Sequence, residues 1–373
     1  MQYVPFGKLG FDVSRLGMGC MRLPRLEKYE DIDIPTVKEM VAYAMEQGVN
    51  YFDTAWGYHG GNAEPVMGEV LSAYPRESFY LASKFPGFSP ENFQKKEEIF
   101  EKQLARCRTE YFDFYLLHSV TDNNIDHYLD PQYGLLEYLE QQKKAGRIRH
   151  LGFSCHSSLK TMERLLDVWK AHIEFCQIQL NWLDWDLQDA KTKVQILRER
   201  NIPVWVMEPL RGGSLCQLAP EYENALRQLR PEQTMPQWGF RFLESVPGVT
   251  MVLSGMSNFE QIQENIATFS EAKPLNAQET EALFAIAEQI TAKNTLLCTN
   301  CRYCVDYCPM ELNIPALIKL YNKHIYMGSS IPMADLGEEK HPEACVTCGK
   351  CAKVCPQKIK IPQMMYDLSQ KLK

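Results

Sequence analysis

Residues 36–55, TVKEMVAYAMEQGVNYFDTA, contain a helical pattern that is followed directly by a strand pattern. Residues 36–48 carry apolar side chains at three- and four-residue steps and end at Gly48, a residue that favours a helix C-terminus. Residues 49–55 form a short run that is rich in β-branched and aromatic residues. This order predicts one unit of an α/β fold with a parallel sheet.

The same alternation continues on both sides of this unit. Further strands are predicted at LGMGCM (16–21), FYLASK (79–84), YFDFYLLH (111–118), HLGFS (150–154), FCQIQLN (175–181), PVWVMEP (203–209) and VTMVLSG (249–255). Helices are predicted between strands at residues 91–107, 133–146 and 159–172. Eight strands within about 270 residues match a (β/α)8 TIM barrel, which typically needs ~250 residues. The alternative, a doubly wound open sheet, usually has a GxGxxG after its first strand, and this sequence has none.

Both flanks of the predicted barrel carry additional signals. Residues 4–17, VPFGKLGFDVSRLG, predict a hairpin that caps the bottom of the barrel. Residues 275–294 predict an amphipathic helix, in which Asn276 and Glu279 form a capping box. Strand patterns stop after this helix. We therefore expect a barrel domain over residues 1–290 and a second, mainly helical domain over residues 291–373.

The second domain contains a repeated cysteine motif. The chain has 13 cysteines, and eight of them lie between residues 298 and 355. They form two C-x2-C-x2-C-x3-C-P runs: Cys298, Cys301, Cys304, Cys308 and Cys345, Cys348, Cys351, Cys355. This spacing is typical of bacterial two-cluster ferredoxins, in which the fourth cysteine of each run binds the other cluster.

The motif therefore predicts two [4Fe-4S] clusters with exchanged fourth ligands. One cluster is expected on Cys298, Cys301, Cys304 and Cys355, and the other on Cys345, Cys348, Cys351 and Cys308. Zinc bound by four cysteines is the alternative, but zinc sites generally use paired CxxC motifs. The segments NIPALI (313–318) and KIPQMM (360–365) follow the two runs in a similar way, which indicates pseudo-twofold symmetry.

Composition excludes several classes of protein. The chain has 373 residues, a formal net charge of −7 and 45% hydrophobic residues. This hydrophobic content is typical of globular proteins, and a transmembrane helix would need an apolar run of ~18 residues that the sequence lacks. The acidic balance argues against nucleic acid as a partner, and a P-loop motif is missing. The N-terminus lacks signal-peptide features, so we expect a cytoplasmic protein.

Polar residues at the ends of the predicted strands indicate a reaction site. Asp53, Lys84 and His118 end the second, third and fourth strands, and Tyr58 follows in the loop after Asp53. In a TIM barrel these positions meet at the C-terminal mouth. Tyr58 is suited to donate a proton to a developing alkoxide, and Lys84 is expected to lower the pKa of that tyrosine. Asp53 is expected to hold Lys84, and His118 to polarise the carbonyl. Taken singly, each residue also has a structural interpretation.

These residues and their contexts resemble the aldo-keto reductases. The segments FDTAWGYHGGNAEPVMGEVL, LASK and DFYLLH carry the resemblance, which covers about residues 1–290. Together with the cysteine motifs, the chain is similar to the iron–sulfur branch of that superfamily. The resemblance implies carbonyl/alcohol interconversion with NAD(P)(H) and a small carbonyl or alcohol substrate.

The resemblance also implies a set of cofactor-binding residues across the barrel mouth. The implied contacts are Ser154, Gln177, Met207, Leu210, Ser254, Gly255, Ser257 and Asn265, with Glu264 beside Asn265 at the adenine end. Met207 stands where many members have an aromatic ring. Lys and Arg are absent from residues 255–261, where many members hold the 2′-phosphate of NADP, and Arg211 is a more distant source of charge.

The role of the clusters stays open at this level. Hydride transfer moves two electrons together, whereas each cluster moves one. The clusters are therefore structural, or serve a bound flavin or a redox partner protein, or have replaced hydride chemistry. The alternative function is an electron-transfer protein in which the barrel is a docking scaffold with little reductase activity.

Overall fold

The structure is a computed structural model that describes residues 1–6, 12–292, 296–327, 336–337 and 339–372. A short antiparallel hairpin precedes the barrel and consists of β1 (Tyr3–Pro5) and β2 (Asp12–Ser14). The Phe6 ring packs edge-to-face on Phe114, with 5.3 Å between ring centroids, at the N-terminal ends of the strands. This hairpin and Phe6 close the bottom of the barrel, as predicted, while the predicted turn over residues 7–11 lies outside the described residues.

Eight parallel strands form a closed barrel, which confirms the predicted fold class. The strands are β3 (Leu16–Gly19), β4 (Tyr51–Asp53), β5 (Tyr80–Phe85), β6 (Phe112–Val120), β7 (Ile148–Cys155), β8 (Phe175–Gln179), β9 (Val204–Met207) and β10 (Val249–Ser254). Each strand pairs with its neighbour in sequence, and β10 pairs with β3 to close the ring. The strands are buried on both faces because helices surround the barrel, and this explains their continuous apolar runs.

The helices of the barrel domain alternate with these strands. They are α1 (Ile34–Glu46), α2 (Ala63–Leu71), α3 (Pro90–Gln94), α4 (Lys96–Arg106), α5 (Ile125–Leu129), α6 (Leu135–Lys144), α7 (Leu159–Val168), α8 (Asp184–Leu187), α9 (Ala190–Glu199), α10 (Pro220–Leu229), α11 (Met235–Ser245), α12 (Phe259–Thr268) and α13 (Ala277–Ala292).

Two local predictions have different outcomes. The single helix predicted over residues 91–107 is wrong, because Lys95 leaves helical geometry at φ −103° and ψ 21° and separates α3 from α4. The capping box before α13 is confirmed. Asn276 Oδ1 accepts from the Glu279 backbone N–H at 3.0 Å, and Glu279 Oε2 accepts from the Asn276 N–H at 2.8 Å.

The second domain is small and helical, and its two halves repeat. Its helices are α14 (Tyr303–Asp306), α15 (Ile314–Met327), α16 (Lys350–Lys353) and α17 (Ile361–Ser369). The starts of α14 and α15 recur 47 positions later at α16 and α17. Left-handed backbone recurs with the same offset at Asn300 and Thr347, Arg302 and Gly349, and Glu311 and Lys358. The repeated backbone fits the pseudo-twofold symmetry expected from the two cysteine runs.

The second domain packs on the C-terminal mouth of the barrel. Arg211, which follows β9, donates from Nη1 to the Leu297 carbonyl and from Nη2 to Gln357 Oε1, both at 2.8 Å. Gln357 Nε2 in turn donates to Oε1 of Gln179 at the end of β8, at 2.8 Å. These contacts tie the loops around both cysteine runs to the ends of two barrel strands.

A glycine permits the closest approach between the two domains. Gly212 adopts φ +66°, a left-handed conformation that favours glycine, and a Cβ atom there would collide with the Thr299 carbonyl. The same carbonyl accepts a hydrogen bond from Arg22 Nη2 at 3.1 Å. The loop that begins the first cysteine run therefore lies directly on the barrel mouth.

Candidate active site and cluster sites

The structure brings the four predicted catalytic residues together at the barrel mouth. Asp53 is the last residue of β4, Lys84 lies near the end of β5, and His118 lies in the second half of β6. Tyr58 begins a short 3-10 turn in the loop after β4. All four side chains are buried. Because parallel strands end at one rim, residues far apart in sequence meet here.

Lys84 is the centre of this group. Its Nζ donates to Asp53 Oδ1 at 2.5 Å, to the Thr54 carbonyl at 2.8 Å and to Tyr58 Oη at 3.2 Å. The three donors of the ammonium group are thus all used, since a lysine has three. The bond to Tyr58 leaves the phenolic proton free to point toward a ligand.

Burial sets the protonation states of the tyrosine and the histidine. Burial, followed by the charge of Asp53, raises the pKa of the Tyr58 hydroxyl well above its ordinary value. The expectation from the sequence that the pKa of Tyr58 is lowered is therefore wrong for this structure, because burial is the largest influence on this pKa and it raises it. Burial and the positive charge of Lys84 lower the pKa of His118 well below its ordinary value. Near neutral pH the site therefore presents a neutral phenol and a neutral imidazole.

A cavity of about 440 Å³ opens beside this group. Asp53 and Tyr58 line it on the barrel side, and Thr299, Cys301 and Tyr303 line it on the side of the second domain. A volume of this size is within the range of small-molecule sites, ~300–1,000 Å³. The cavity is therefore enclosed by both domains rather than by barrel loops alone.

Most of the predicted cofactor contacts line the same cavity. They are Gln177, Met207, Leu210, Ser254, Gly255, Ser257 and Asn265. Gln177 carries a buried Oε1 that has no hydrogen-bond partner within the described residues. A carboxamide of a nicotinamide ring offers the donor that this oxygen lacks, because buried polar atoms are normally paired. The donors and acceptors present thus fit a nicotinamide dinucleotide.

The placement of Ser154 departs from the sequence prediction. Ser154 is absent from the cavity wall that the described residues form. Its Oγ accepts from the Ser119 backbone N–H at 2.6 Å, and its side chain is buried. The hydroxyl therefore supports the C-terminal end of β6 in this structure and is not part of the cavity wall.

The charged groups around the cavity also differ from expectation. Arg211 is buried, and its Nε donates to Asp184 Oδ1 at 3.0 Å while its other nitrogens bind the second domain. It is not available to a phosphate, so the suggestion that it supplies the missing charge was wrong. Arg22 and Glu208, which sequence reasoning missed, line the cavity and lie 3.6 Å apart. Both follow the ends of barrel strands, the same signal that identified Asp53 and Lys84.

The eight clustered cysteines surround two separate cavities. One cavity is lined by Cys298, Cys301, Cys304 and Cys355, together with Ile318 and Ile359 among others. The second is lined by the other set, Cys308, Cys345, Cys348 and Cys351. These are the exchanged sets expected from the spacing. Apolar side chains around four thiols fit an iron–sulfur cluster, which sits in a protected shell.

The thiol positions differ from those of a mononuclear metal site. Within the described residues, no three His, Cys, Asp or Glu side chains converge closely enough to hold a single metal ion. The cysteines instead face each other across a cavity, the arrangement that a larger cluster needs.

Comparisons with known proteins match this architecture. The sequence profile of the aldo/keto reductase family matches residues 15–288, and that of a 4Fe-4S dicluster domain matches residues 297–359. An uncharacterized oxidoreductase of Bacillus subtilis, YqkF, is 27% identical over 317 residues, which are 76% of this chain and 95% of that protein. An NADH-specific methylglyoxal reductase of Escherichia coli is 22% identical over 320 residues, 72% of this chain and 94% of that protein.

Solved structures show the same barrel. The holo form of the aldo-keto reductase AKR11C1 from Bacillus halodurans aligns with a TM-score of 0.61 and 25% identity, over 77% of this chain and 96% of that chain. An aldo/keto reductase from Klebsiella pneumoniae in complex with NADP and acetate has a TM-score of 0.60 and 22% identity, over 76% and 95% of the two chains. In the part of this chain that the structure describes, helices of the length and hydropathy needed to cross a membrane are lacking.

Proposed function

The chain belongs to the aldo/keto reductase family and carries a 4Fe-4S dicluster domain, and we propose that it reduces a small carbonyl compound with NAD(P)H. One observation carries this proposal. The Tyr58 hydroxyl, supported by Lys84 at 3.2 Å, lines a cavity that also contains the residues suited to a nicotinamide dinucleotide. The bound NADP in the Klebsiella pneumoniae relative supports the same type of cofactor here.

The residues divide the reaction between them. When bound, the reduced nicotinamide supplies a hydride to the carbonyl carbon. Tyr58 donates its proton to the carbonyl oxygen as negative charge develops there, and the product is the alcohol. Lys84 stabilises the phenolate that remains, and Asp53 holds Lys84 in place through the 2.5 Å ion pair. His118 donates a hydrogen bond to the same oxygen and orients the substrate.

The raised pKa of Tyr58 has a consequence for pH dependence. An acid whose pKa lies above the working pH stays protonated, so the donor form is fully present at neutral pH and is lost only as the pH rises through that pKa. Carbonyl reduction should therefore not decline between pH 6 and 8 through ionisation of Tyr58.

We further propose that the domain boundary lies near residue 290. The match to the reductase family ends at residue 288, and the match to the dicluster domain begins at residue 297. The two cysteine sets would hold one [4Fe-4S] cluster each, and such clusters supply one-electron oxidation and reduction. The two domains share one cavity, so a cluster held by the first cysteine set would lie beside the proposed reductase site.

A second function, electron transfer with little reductase activity, is favoured by one contact. Cys301 lines the reductase cavity and also the first cluster cavity. A cluster held there would lie next to any ligand at the barrel mouth. A flavin, a redox partner protein and a cytoplasmic location stay predictions from the sequence.

The reductase proposal is tested with anaerobically prepared, iron-loaded protein. The protein is incubated with NADH or NADPH and a reactive aldehyde or dione, and the alcohol is quantified against the oxidised nicotinamide. We expect one alcohol per nicotinamide. Oxidation of the nicotinamide with reduction of the clusters and without alcohol would favour the electron-transfer alternative.

We predict weak discrimination for NADPH over NADH, or a reversed preference. Arg211 is occupied, Arg22 is paired with Glu208, and Glu264 in the cavity wall carries a charge that repels a 2′-phosphate. The measurement is the ratio of the two dissociation constants by fluorescence titration. A preference for NADPH of roughly a hundredfold, about 2.7 kcal/mol, would contradict this prediction.

We also predict that Cys308→Ser damages the distant cluster. Cys308 shares its cavity with Cys345, Cys348 and Cys351, and not with its sequence neighbours. Wild-type protein should hold about eight irons and eight sulfides, the content of two cubanes. The variant should lose the signal of one cluster in electron paramagnetic resonance, the same signal that Cys348→Ser removes. Loss of the signal removed by Cys301→Ser would reject the exchanged arrangement.

A further inference from the structure

The second domain contributes a tyrosine to the reaction site. Tyr303 begins α14, between the cysteines Cys301 and Cys304. Its hydroxyl lies 3.5 Å from His118 Nε2, and its ring lines the cavity together with Tyr58. The barrel supplies the reacting groups, and the cluster domain places a further hydroxyl among them.

The surroundings of His118 indicate which of its ring nitrogens carries the proton, and therefore whether Tyr303 donates or accepts in their contact. His118 Nδ1 is buried and has no partner among the described residues. A buried N–H without an acceptor costs more than a buried lone pair without a donor, so the proton belongs on Nε2. His118 Nε2 then donates to Tyr303 Oη, and the Tyr303 O–H remains available to a ligand. The 3.5 Å separation is long for a hydrogen bond, so a substrate oxygen can readily replace this contact.

Three donors therefore lie close together. They are the hydroxyl of Tyr58, Nε2 of His118 and the hydroxyl of Tyr303. Tyr58 and Tyr303 line the cavity, and the His118 ring lies 5.8 Å from the Tyr58 ring, between centroids, with its Nε2 at 3.5 Å from the Tyr303 hydroxyl. A carbonyl oxygen has two lone pairs, and Tyr58 and His118 use both during reduction. The third donor lines the cavity, and a substrate that fills the cavity would separate it from water, so it then needs a second acceptor. An oxygen on the carbon next to the carbonyl is the nearest place for that acceptor.

We propose that Tyr303 is a specificity-determining residue that binds the second oxygen of a vicinally oxygenated substrate, an α-hydroxycarbonyl or an α-dicarbonyl compound. This inference rests on the proposed reductase function. It also limits the substrate to small molecules, because Thr299, Cys301 and Tyr303 form a roof over a cavity that must also hold the nicotinamide. The specificity of the barrel thus depends on the cluster domain.

The test compares Tyr303→Phe with wild type on two ketones of similar size, 2,3-butanedione and 2-butanone. The variant keeps the ring and removes only the hydroxyl. We expect kcat/KM for the dione to fall roughly tenfold, with little change for 2-butanone. Tyr366→Phe, an exposed tyrosine of α17, is the matched control and should change neither value. Cluster absorbance spectra verify that each variant retains its iron.

A binding measurement gives a second readout that is independent of turnover. Dissociation constants of 2,3-butanediol and 2-butanol are measured by calorimetry with the holoprotein and oxidised nicotinamide. Wild type should bind the diol more tightly, and Tyr303→Phe should remove that difference. Equal loss for both ketones, or a diol preference that survives in the variant, would overturn this inference and leave the reductase proposal standing. Failure of wild type to reduce either ketone would reject both.

Discussion

Replacement of Tyr58 by phenylalanine should lower carbonyl reduction by roughly 10²–10⁴-fold, the usual contribution of a general acid. The hydroxyl that is lost is the group that Lys84 supports at 3.2 Å and that faces the cavity. The ring stays, so the fold, both clusters and nicotinamide binding should be nearly unchanged. The measurement is single-turnover reduction of a reactive dione by anaerobic, iron-loaded protein.

A control variant should lose a tyrosine hydroxyl at a position away from the barrel mouth. Tyr366→Phe changes an exposed side chain of the cluster domain and should reduce at the wild-type rate. If Tyr58→Phe also reduces at that rate, Tyr58 is not the acid. The cavity would then be a binding surface or the site of one-electron chemistry.

The second large effect is expected on stability. Arg211→Met should lower the free energy of unfolding by about 3–5 kcal/mol, because it leaves the buried Asp184 carboxylate without its cation. The variant also removes the bonds from Arg211 to the Leu297 carbonyl and to Gln357, which connect the two domains. The measurement is urea unfolding of the holoprotein, followed by tryptophan fluorescence.

An exposed arginine provides a matched control for the Arg211→Met substitution. Arg227 lies 3.8 Å from Glu223 on α10, and its side chain is 53% exposed. Arg227→Met should change stability by less than about 1 kcal/mol, since exposed ion pairs contribute little. Equal stability of the two variants would show that Arg211 does not hold the domains together.

The barrel and the meeting of the proposed catalytic residues at its mouth could be predicted because both follow from strand order. Each strand is recognisable in the sequence as a buried apolar run. The C-terminal ends of all strands meet at the barrel mouth, whatever the sequence of the connecting helices. Asp53, Lys84 and His118 were found in this way. The exchanged cysteine sets could also be predicted, because spacing alone dictates which thiols a cubane reaches.

The remainder depends on packing that local patterns do not encode. The cysteine motif shows that Tyr303 lies between two expected cluster ligands. It does not show that this loop lies on the barrel mouth beside His118. Ser154 follows the family pattern, yet its hydroxyl is used by the Ser119 backbone N–H. The direction of the Tyr58 pKa shift depends mainly on how deeply the hydroxyl is buried, and burial cannot be read from the neighbouring charges in the sequence.

Direct hydride transfer from the nicotinamide is tested by following the hydrogen that reaches the product. Reduced nicotinamide dinucleotide that carries deuterium at both C4 positions is mixed with anaerobic holoprotein and 2,3-butanedione in ordinary water. If the nicotinamide reduces the carbonyl directly, while Tyr58 supplies the proton, the deuterium appears on the carbinol carbon of the product. Product that carries hydrogen from solvent at that carbon would contradict direct hydride transfer. It would show that the electrons pass through the clusters.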